Sequence, residues 1–348
     1  MLAAETKMAH ASVEGVDSGE LAPPWRRIVA PIEPFLRAVS QRLTEQVGEF
    51  EPEVAAYVLY ALSNQGKQLR PALVGLSAEA TGGLKDELIT AAVIIEMVHL
   101  ATLVHDDVID EARLRRRRPT LAAHAGNMTS VLVGDCLFAH ALKLAASFST
   151  TEVCRAVSQS TKTVCSGEIV QGQRQHKLKS SRIEYFRVLQ MKTAELFALS
   201  CELGASLSGA AGFEQVALRE FGLSLGTAYQ VFDDCLDLFG TEAQAGKSLG
   251  TDLAGGKMTL PLIVTFEQAS TADRLLLEQM IAAWEPGRLA ELMATMERHG
   301  ALRECSTVIR RFCNSARGAL AVLQPSGGRD CLEAAADFIS HQTDSLGS

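Results

Sequence analysis

Six aspartates, set out as two copies of one pattern, are the residues of this chain best placed to do chemistry. Asp106, Asp107 and Asp110 lie in L-V-H-D-D-V-I-D-E, and Asp233, Asp234 and Asp237 in Q-V-F-D-D-C-L-D-L. Each is a D-D-x-x-D inside an otherwise apolar, helix-like run. On a helix, positions i and i+4 stack, and i+1 lies about 100° round. The spacing therefore predicts three carboxylates converging near one helix surface. Such crowding of like charge is costly unless a cation is held there. All-oxygen carboxylate sites suit Mg²⁺, which keeps several waters and shares a substrate phosphate. A lone acidic triplet on a helix is usually just a solvated face. Here Val93 to His105 and Phe221 to Phe232 are mainly apolar, so both triplets cap buried helices. Two of them suggest two walls of one metal–diphosphate site.

Basic residues supply the complementary half. R-L-R-R-R-R-P-T follows the first triplet and contains Arg113, Arg115, Arg116, Arg117 and Arg118. Guanidinium groups bind phosphate oxygens bidentately. Upstream, G-K-Q-L-R-P offers Lys67 and Arg70. Downstream, G-K-S-L-G-T-D-L-A-G-G-K-M-T-L-P offers Lys247, Asp252 and Lys257. Lysines beside glycines can approach an anion closely. Each segment taken alone reads equally well as ordinary surface.

The elements that must position these groups are helical almost throughout. Helical spacing of apolar residues runs near 27–48, 52–64, 71–81, 85–112, 128–147, 151–174, 181–209 and 214–239. It continues near 259–269, 272–283, 286–299, 301–323 and 329–345. Strand alternation, long repeats and composition breaks do not stand out. One all-α domain over 25–348 is expected, preceded by a disordered tail over 1–24 that ends in Pro23-Pro24. That tail lacks the apolar core of a signal peptide and carries acids that transit peptides avoid. A hydrophobic content of 47% over 348 residues can fill a sizeable core, and an aromatic content of 5% favours helices over sheets. The formal charge of −8 argues against a general nucleic-acid binder. Eight cysteines without a C-x-x-C pair read as core residues in a reducing compartment, so a cytoplasmic protein is expected. No unbroken run of 18 apolar residues occurs, so no transmembrane helix is expected.

Taken in order, these blocks resemble those of the trans-type polyprenyl diphosphate synthases, most of all the long-chain members. G-K-Q-L-R-P, the first D-D-x-x-D with its arginines, G-E-I-V-Q, M-K-T-A, and the second D-D-x-x-D with G-K-S-L-G-T-D follow one another over about residues 66–261. The resemblance implies a bundle of antiparallel helices around a central cavity. It implies an enzyme that joins isopentenyl diphosphate to an allylic diphosphate, with about three Mg²⁺ ions that Mn²⁺ can replace. By the same resemblance Asp106, Asp107, Asp110 and Asp233 would hold the ions, with Asp234 and Asp237 supporting. Arg115, Lys192 and Lys257 would grip the allylic diphosphate, with Lys247 nearby. Lys67, Arg70, His99 and Arg116 would hold isopentenyl diphosphate. Thr193 and Gln230 would aim oxygen dipoles at the developing cation, with Glu168 and Gln171 in the same cleft. A homodimer is implied, with an apolar helix face around 128–147 as the candidate interface, and transient membrane contact during product release.

Two departures stand out. Arg117 replaces the glycine of the usual R-R-G-x-P-T, and Gln65 replaces the first glycine of the usual G-G-K. Neither removes a ligand. The resemblance also bears on product length. The positions four and five before Asp106 are Thr102 and Ala101, where short-chain relatives often carry aromatics that floor the product tunnel. Small residues there imply a long product, C30–C50, with a C15–C20 product as the alternative. Competing readings are a class I terpene cyclase, a degenerate regulatory subunit and a basic RNA-binding helix at 113–118. A cyclase has no use for Lys67, Arg70 and His99 as a second diphosphate site. A degenerate subunit loses aspartates, and both triplets here are complete.

Overall fold

The longest apolar stretches of the sequence become the central helices, because only complete burial satisfies them. In the computed structural model, which describes residues 23–63, 66–116, 118–245 and 248–347, the first aspartate triplet ends the helix Asp86–Ile109 and the second ends Gly212–Phe239. Asp86–Ile109 is buried nearly all round, from Leu88 through Val104. Leu69–Glu79, Asn127–Ala145, Glu195–Ser208 and Ala301–Ala319 pack around the two aspartate helices. Gly327–Thr343 closes one side against Leu69–Glu79 and Ala301–Ala319. The result is the expected all-α bundle. A contiguous core of Leu, Ile, Val, Phe and Ala runs through it, with Phe197, Phe221, Ile94 and Leu137 among its fully buried members.

Small residues let the central helices close up. A Cβ at Gly226 would lie 2.7 Å from the Cα of Ala194, so the second aspartate helix and the M-K-T-A segment touch backbone to backbone there. Several boundaries differ from the periodicity. The stretch read as 27–48 divides into Pro23–Val29, a 3₁₀ turn Ala30–Ile32, Glu33–Glu45 and a second 3₁₀ turn Gln46–Glu49. Pro31 and Pro34 explain the first division, since neither can donate the hydrogen bond of a continuing helix. Pro23 and Pro24, read as the end of the tail, open the first helix instead. The rest of the expected tail, 1–22, lies outside the described residues, as do Arg117 and Lys247.

The arginine segment is neither a helix nor a plain loop. Leu114–Arg115 and Arg118–Pro119 form a two-stranded antiparallel hairpin. It is fastened to Pro52–Leu62 by a hydrogen bond from the Tyr60 hydroxyl to the Pro119 carbonyl at 2.9 Å. Arg118 also donates to the Ser63 carbonyl at 3.0 Å.

Asp86–Ile109 and Asn127–Ala145 are long and apolar enough to cross a membrane by length and composition alone. The lack of an unbroken apolar run does not exclude them on that test. In the fold, 61% of the most apolar window of the first is buried inside the protein, and 39% of the second. The first is the core of the bundle.

Candidate active site

Both aspartate triplets sit at carbonyl ends of helices. Asp106 and Asp107 are in the last turn of Asp86–Ile109, and Asp110 caps it. Asp233, Asp234 and Asp237 are in the last two turns of Gly212–Phe239. A helix C-terminus already carries partial negative charge, so acids there are doubly unfavourable without cations. The protein answers with lysines and arginines from four other segments.

Lys192 reaches the first triplet. Its ammonium donates to the Gln171 amide oxygen at 2.9 Å, pairs with Glu168, and lies 3.7 Å from Asp106. Lys257 donates to Asp110 at 3.0 Å and lies 3.7 Å from Asp252. Burial works against the Lys257 charge, but Asp252 and Asp110 prevail and raise its pKa. Arg115 clasps Asp107 at 2.9 Å. The second triplet is tied differently. Asp234 accepts from the Tyr185 hydroxyl at 2.6 Å and from Gln230 at 2.8 Å, while Thr193 donates to Gln230 at 3.0 Å. Asp237 accepts from Thr251 at 2.7 Å and from the Asp252 amide at 3.1 Å, which caps the short turn Thr251–Ala254.

The expected convergence of three carboxylates on each helix is therefore corrected. Among the described residues, no three acidic, His or Cys side chains are gathered as a ready metal cluster. Asp107, Asp234 and Asp237 are occupied by neutral or cationic partners of the protein itself. Asp106 and Asp110 face the two lysines, and Asp233 lies close enough to Lys67 to act on its charge. The donor chemistry still fits a hard cation. Burial, helped by Glu168 and Asp110, lifts Asp106 to about 6 against the pull of Lys192. Burial and the neighbouring Asp252 lift Asp234 to about 8. Burial favours their protonated form, and a cation bound beside them would favour the ionised one.

Next to this acidic wall lies a cationic pocket with the opposite imbalance. Lys67, Arg70, His99 and Arg116 are brought together, as the resemblance implied. Each has its pKa lowered by burial first; for Lys67 and His99 the neighbouring arginines add to this, and for Arg116 its neighbour Arg115 does. The Arg116 guanidinium lies over the backbone of the Lys67 loop, where a Cβ on Gly66 would be 2.3 Å from it. Arg70 is half-buried against the face of Phe197, 5.0 Å from the ring centre; its Nε is buried, and no acceptor among the described residues meets it. A buried guanidinium N–H without an acceptor costs free energy comparable to a lost hydrogen bond. Neighbouring basic groups with an orphaned donor have the chemistry to take an anion.

Three features escaped the sequence reading. Glu96 is buried among Arg70 and Arg116 and balances part of their charge. Its only sequence signal is an acid ten residues before Asp106 in an apolar run. Tyr185, which holds Asp234, gives no signal beyond lying seven residues before Lys192. The third is a π-helical turn, Gln190–Ala194, where M-K-T-A widens the helix and turns Lys192 and Thr193 toward the cavity. π-turns of this kind are frequent at functional sites. The cavity, about 130 Å³, is lined by Gln171, Lys192, Thr193, Gln230, Asp234 and Lys257 among others.

A family profile described as "Polyprenyl synthetase" matches residues 51–296. An all-trans-nonaprenyl-diphosphate synthase (geranyl-diphosphate specific) of Rhodobacter capsulatus is 36% identical over 307 residues, covering 88% of this chain and 94% of that protein. A short chain isoprenyl diphosphate synthase of Methanothermobacter thermautotrophicus is 31% identical over 310 residues, covering 88% and 95%. A crystal structure of a polyprenyl synthase from Caulobacter crescentus, complexed with calcium and isoprenyl diphosphate, superposes with a TM-score of 0.86 at 31% identity, covering 91% of this chain and 97% of that one.

Proposed function

The chain belongs to the polyprenyl synthetase family, and on that premise we propose how its two charged walls divide the work of prenyl transfer. The activity is condensation of isopentenyl diphosphate with an allylic diphosphate to give a trans-polyprenyl diphosphate. In our reading the acidic wall takes the allylic diphosphate together with divalent metal, Mg²⁺ by preference, about three ions when the diphosphate is bound, and Mn²⁺ in its place. Asp106, Asp110 and Asp233 would supply the metal-facing oxygens, with Asp107, Asp234 and Asp237 behind them in the protein's own hydrogen bonds. When bound, the metal offsets the charge that the departing diphosphate gains. Lys192 and Lys257, already beside Asp106 and Asp110, add fixed positive charge to the same leaving group. Arg115 and Lys247 complete this set.

The cationic pocket takes isopentenyl diphosphate directly, without metal. Arg70 carries this reading: its buried Nε–H, with no acceptor among the described residues, lies beside Lys67, His99 and Arg116 and fits a diphosphate oxygen. A terpene cyclase needs no such second anion site. Breaking the allylic C–O bond leaves a carbocation, and the isopentenyl double bond attacks it. A proton is then lost to the departing diphosphate, so no side-chain base is required. Thr193 and Gln230, joined by a hydrogen bond and backed by Asp234, hold oxygen dipoles toward the cation.

The product we assign is long, C30–C50. Ala101 is fully buried, and the Thr102 hydroxyl turns back to the His99 carbonyl at 2.6 Å, so neither side chain projects bulk along the helix. A homodimer fits the exposed Met128, Val131, Leu132 and Leu142 on one face of Asn127–Ala145. All eight cysteines are free thiols, which fits a cytoplasmic setting. The test is direct. Incubation with Mg²⁺, labelled isopentenyl diphosphate and farnesyl diphosphate should give products of C30 or longer on chromatography after dephosphorylation. Products stopping at C20 would refute the chain-length reading, and cyclised hydrocarbon would refute the mechanism.

A further inference from the structure

The residue just before the first metal-facing aspartate makes an unusual set of contacts away from the site. The Nε2 of His105 lies 3.0 Å from the backbone carbonyl of Val131 and 3.5 Å from the carboxylate of Asp135. A ring nitrogen that meets a carbonyl oxygen must carry the proton, so Nε2 donates here. The ring also leans on Phe138, with centroids 5.6 Å apart. All three partners lie on Asn127–Ala145, the helix whose exposed face carries Met128, Val131 and Leu132.

Gly134 makes this approach possible. A Cβ built there would stand 2.1 Å from His105 Nε2. Gly134 is buried mid-helix, where glycine is less favourable than alanine. A residue that weakens its own helix while making room for one side chain marks a place where contact outweighs local propensity.

The geometry matters because of where His105 sits. It belongs to the last turn of Asp86–Ile109, the turn that carries Asp106 and Asp107. Its end carbonyls are bonded by the chain that follows, Asp106 by the Asp110 amide at 2.8 Å and Asp107 by the Ala112 amide at 2.9 Å, so the turn moves as one unit. Asp106 is one residue on from His105, so its carboxylate swings with any rotation of that turn. We propose that His105 is a positioning residue: bound in the notch of Gly134, it fixes the rotation of the last turn and so the place of the Asp106 and Asp110 carboxylates. This rests on the metal-site reading above.

The test is a double-mutant cycle on the full-length protein, read by binding. Mn²⁺ is titrated in the presence of inorganic diphosphate and followed by electron paramagnetic resonance, with thermal melting alongside. Groups that orient metal ligands typically contribute about 10–100-fold to metal affinity. His105→Ala should weaken Mn²⁺ binding roughly 10-fold. Gly134→Ala, which pushes the ring out of its notch, should weaken it in the same direction. In the His105→Ala background, Gly134→Ala should add nothing, because the ring it displaces is gone. His105→Gln, which keeps an N–H donor of similar reach, should recover part of the affinity. Isopentenyl diphosphate affinity should stay as in the wild type. A His105→Ala protein with wild-type Mn²⁺ affinity, or two effects that simply add, would overturn the proposal. A variant that only melts earlier, with unchanged Mn²⁺ affinity, would do the same. If His105→Ala does not fold, Gly134→Ala and His105→Gln decide by the same criteria. Asp106→Ala is the control: wild-type Mn²⁺ affinity there would remove the metal reading itself, not only the role of His105.

Discussion

The acidic wall and the cationic pocket lie side by side, with Asp233 acting on the charge of Lys67, and are unbalanced in opposite senses. Asp106 and Asp234 are lifted above the ordinary carboxylate range, while Lys67, Arg70, His99 and Arg116 are pushed below theirs. Burial is the first cause in both cases, and it penalises charge of either sign. What differs is the missing counter-charge: cations on one side, an anion on the other. Opposite imbalances side by side give the enzyme a way to tell two diphosphates apart. In the reading proposed above, one is taken only with metal and the other by protein cations alone.

The largest effect should come from breaking the acidic side. Asp106→Ala or Asp233→Ala should lower turnover by about 10³-fold or more, because each removes support for the leaving charge. The fold should survive, since neither side chain is a core contact. Steady-state rates of the first condensation check this, and a near wild-type rate in either variant would dissolve the contrast between the walls.

Breaking the cationic side should look different. Lys67→Ala and Arg116→Ala should raise KM for isopentenyl diphosphate by about 10–150-fold, the worth of one charged hydrogen bond of 1.5–3 kcal/mol. KM for the allylic substrate should hardly move. If the allylic KM moved instead, the two walls would have been assigned the wrong way round.

A third change leaves both walls intact. Ala101→Phe adds a ring to the fully buried side of the first aspartate helix, at about 1–3 kcal/mol in stability. The product should shorten towards C15–C20 while the first condensation keeps its rate. Chromatography of dephosphorylated products decides this, and an unchanged ladder would place the floor elsewhere.

The smallest effect is on metal-free stability, and its sign follows from the lifted carboxyls. Asp106 titrates at about 6 and Asp234 at about 8 in the fold. In the unfolded chain both titrate near about 3.9. Between those values the folded protein keeps protons that the unfolded chain has released, so stability falls as pH rises from about 4 to about 8. Asp234→Asn should flatten the upper part of that slope and raise the metal-free Tm at pH 8 by a few degrees. Melting curves in chelator across this range would show it, and an unchanged slope would argue that Asp234 is ionised when metal is absent.

How far the sequence carried these conclusions differs between the two walls. The helices that end in the aspartates were plain, because Val93 to His105 and Phe221 to Phe232 are apolar beyond anything a surface helix needs. The cationic pocket was legible through its ordered blocks, and Lys67, Arg70, His99 and Arg116 do meet. The division of labour within each aspartate triplet was not legible. Spacing puts three carboxylates on one helix face, but whether Asp107 turns to Arg115, or Asp237 to the Thr251–Ala254 turn, depends on segments distant in sequence. The π-turn at Gln190–Ala194 was hidden for a related reason. Its backbone packs closely against Gly226, a contact distant in sequence that its own residues do not announce. The arginine hairpin was missed because two-residue strands have no alternation to detect.

The central claim is that one diphosphate site depends on metal and the other does not. Calorimetric titration separates them without turnover, using isopentenyl diphosphate alone and an unreactive allylic thiolodiphosphate alone, each in Mg²⁺ and in excess chelator. Chelator should abolish binding of the allylic analogue and leave isopentenyl diphosphate binding nearly unchanged. Loss of both in chelator, or survival of both, would contradict it.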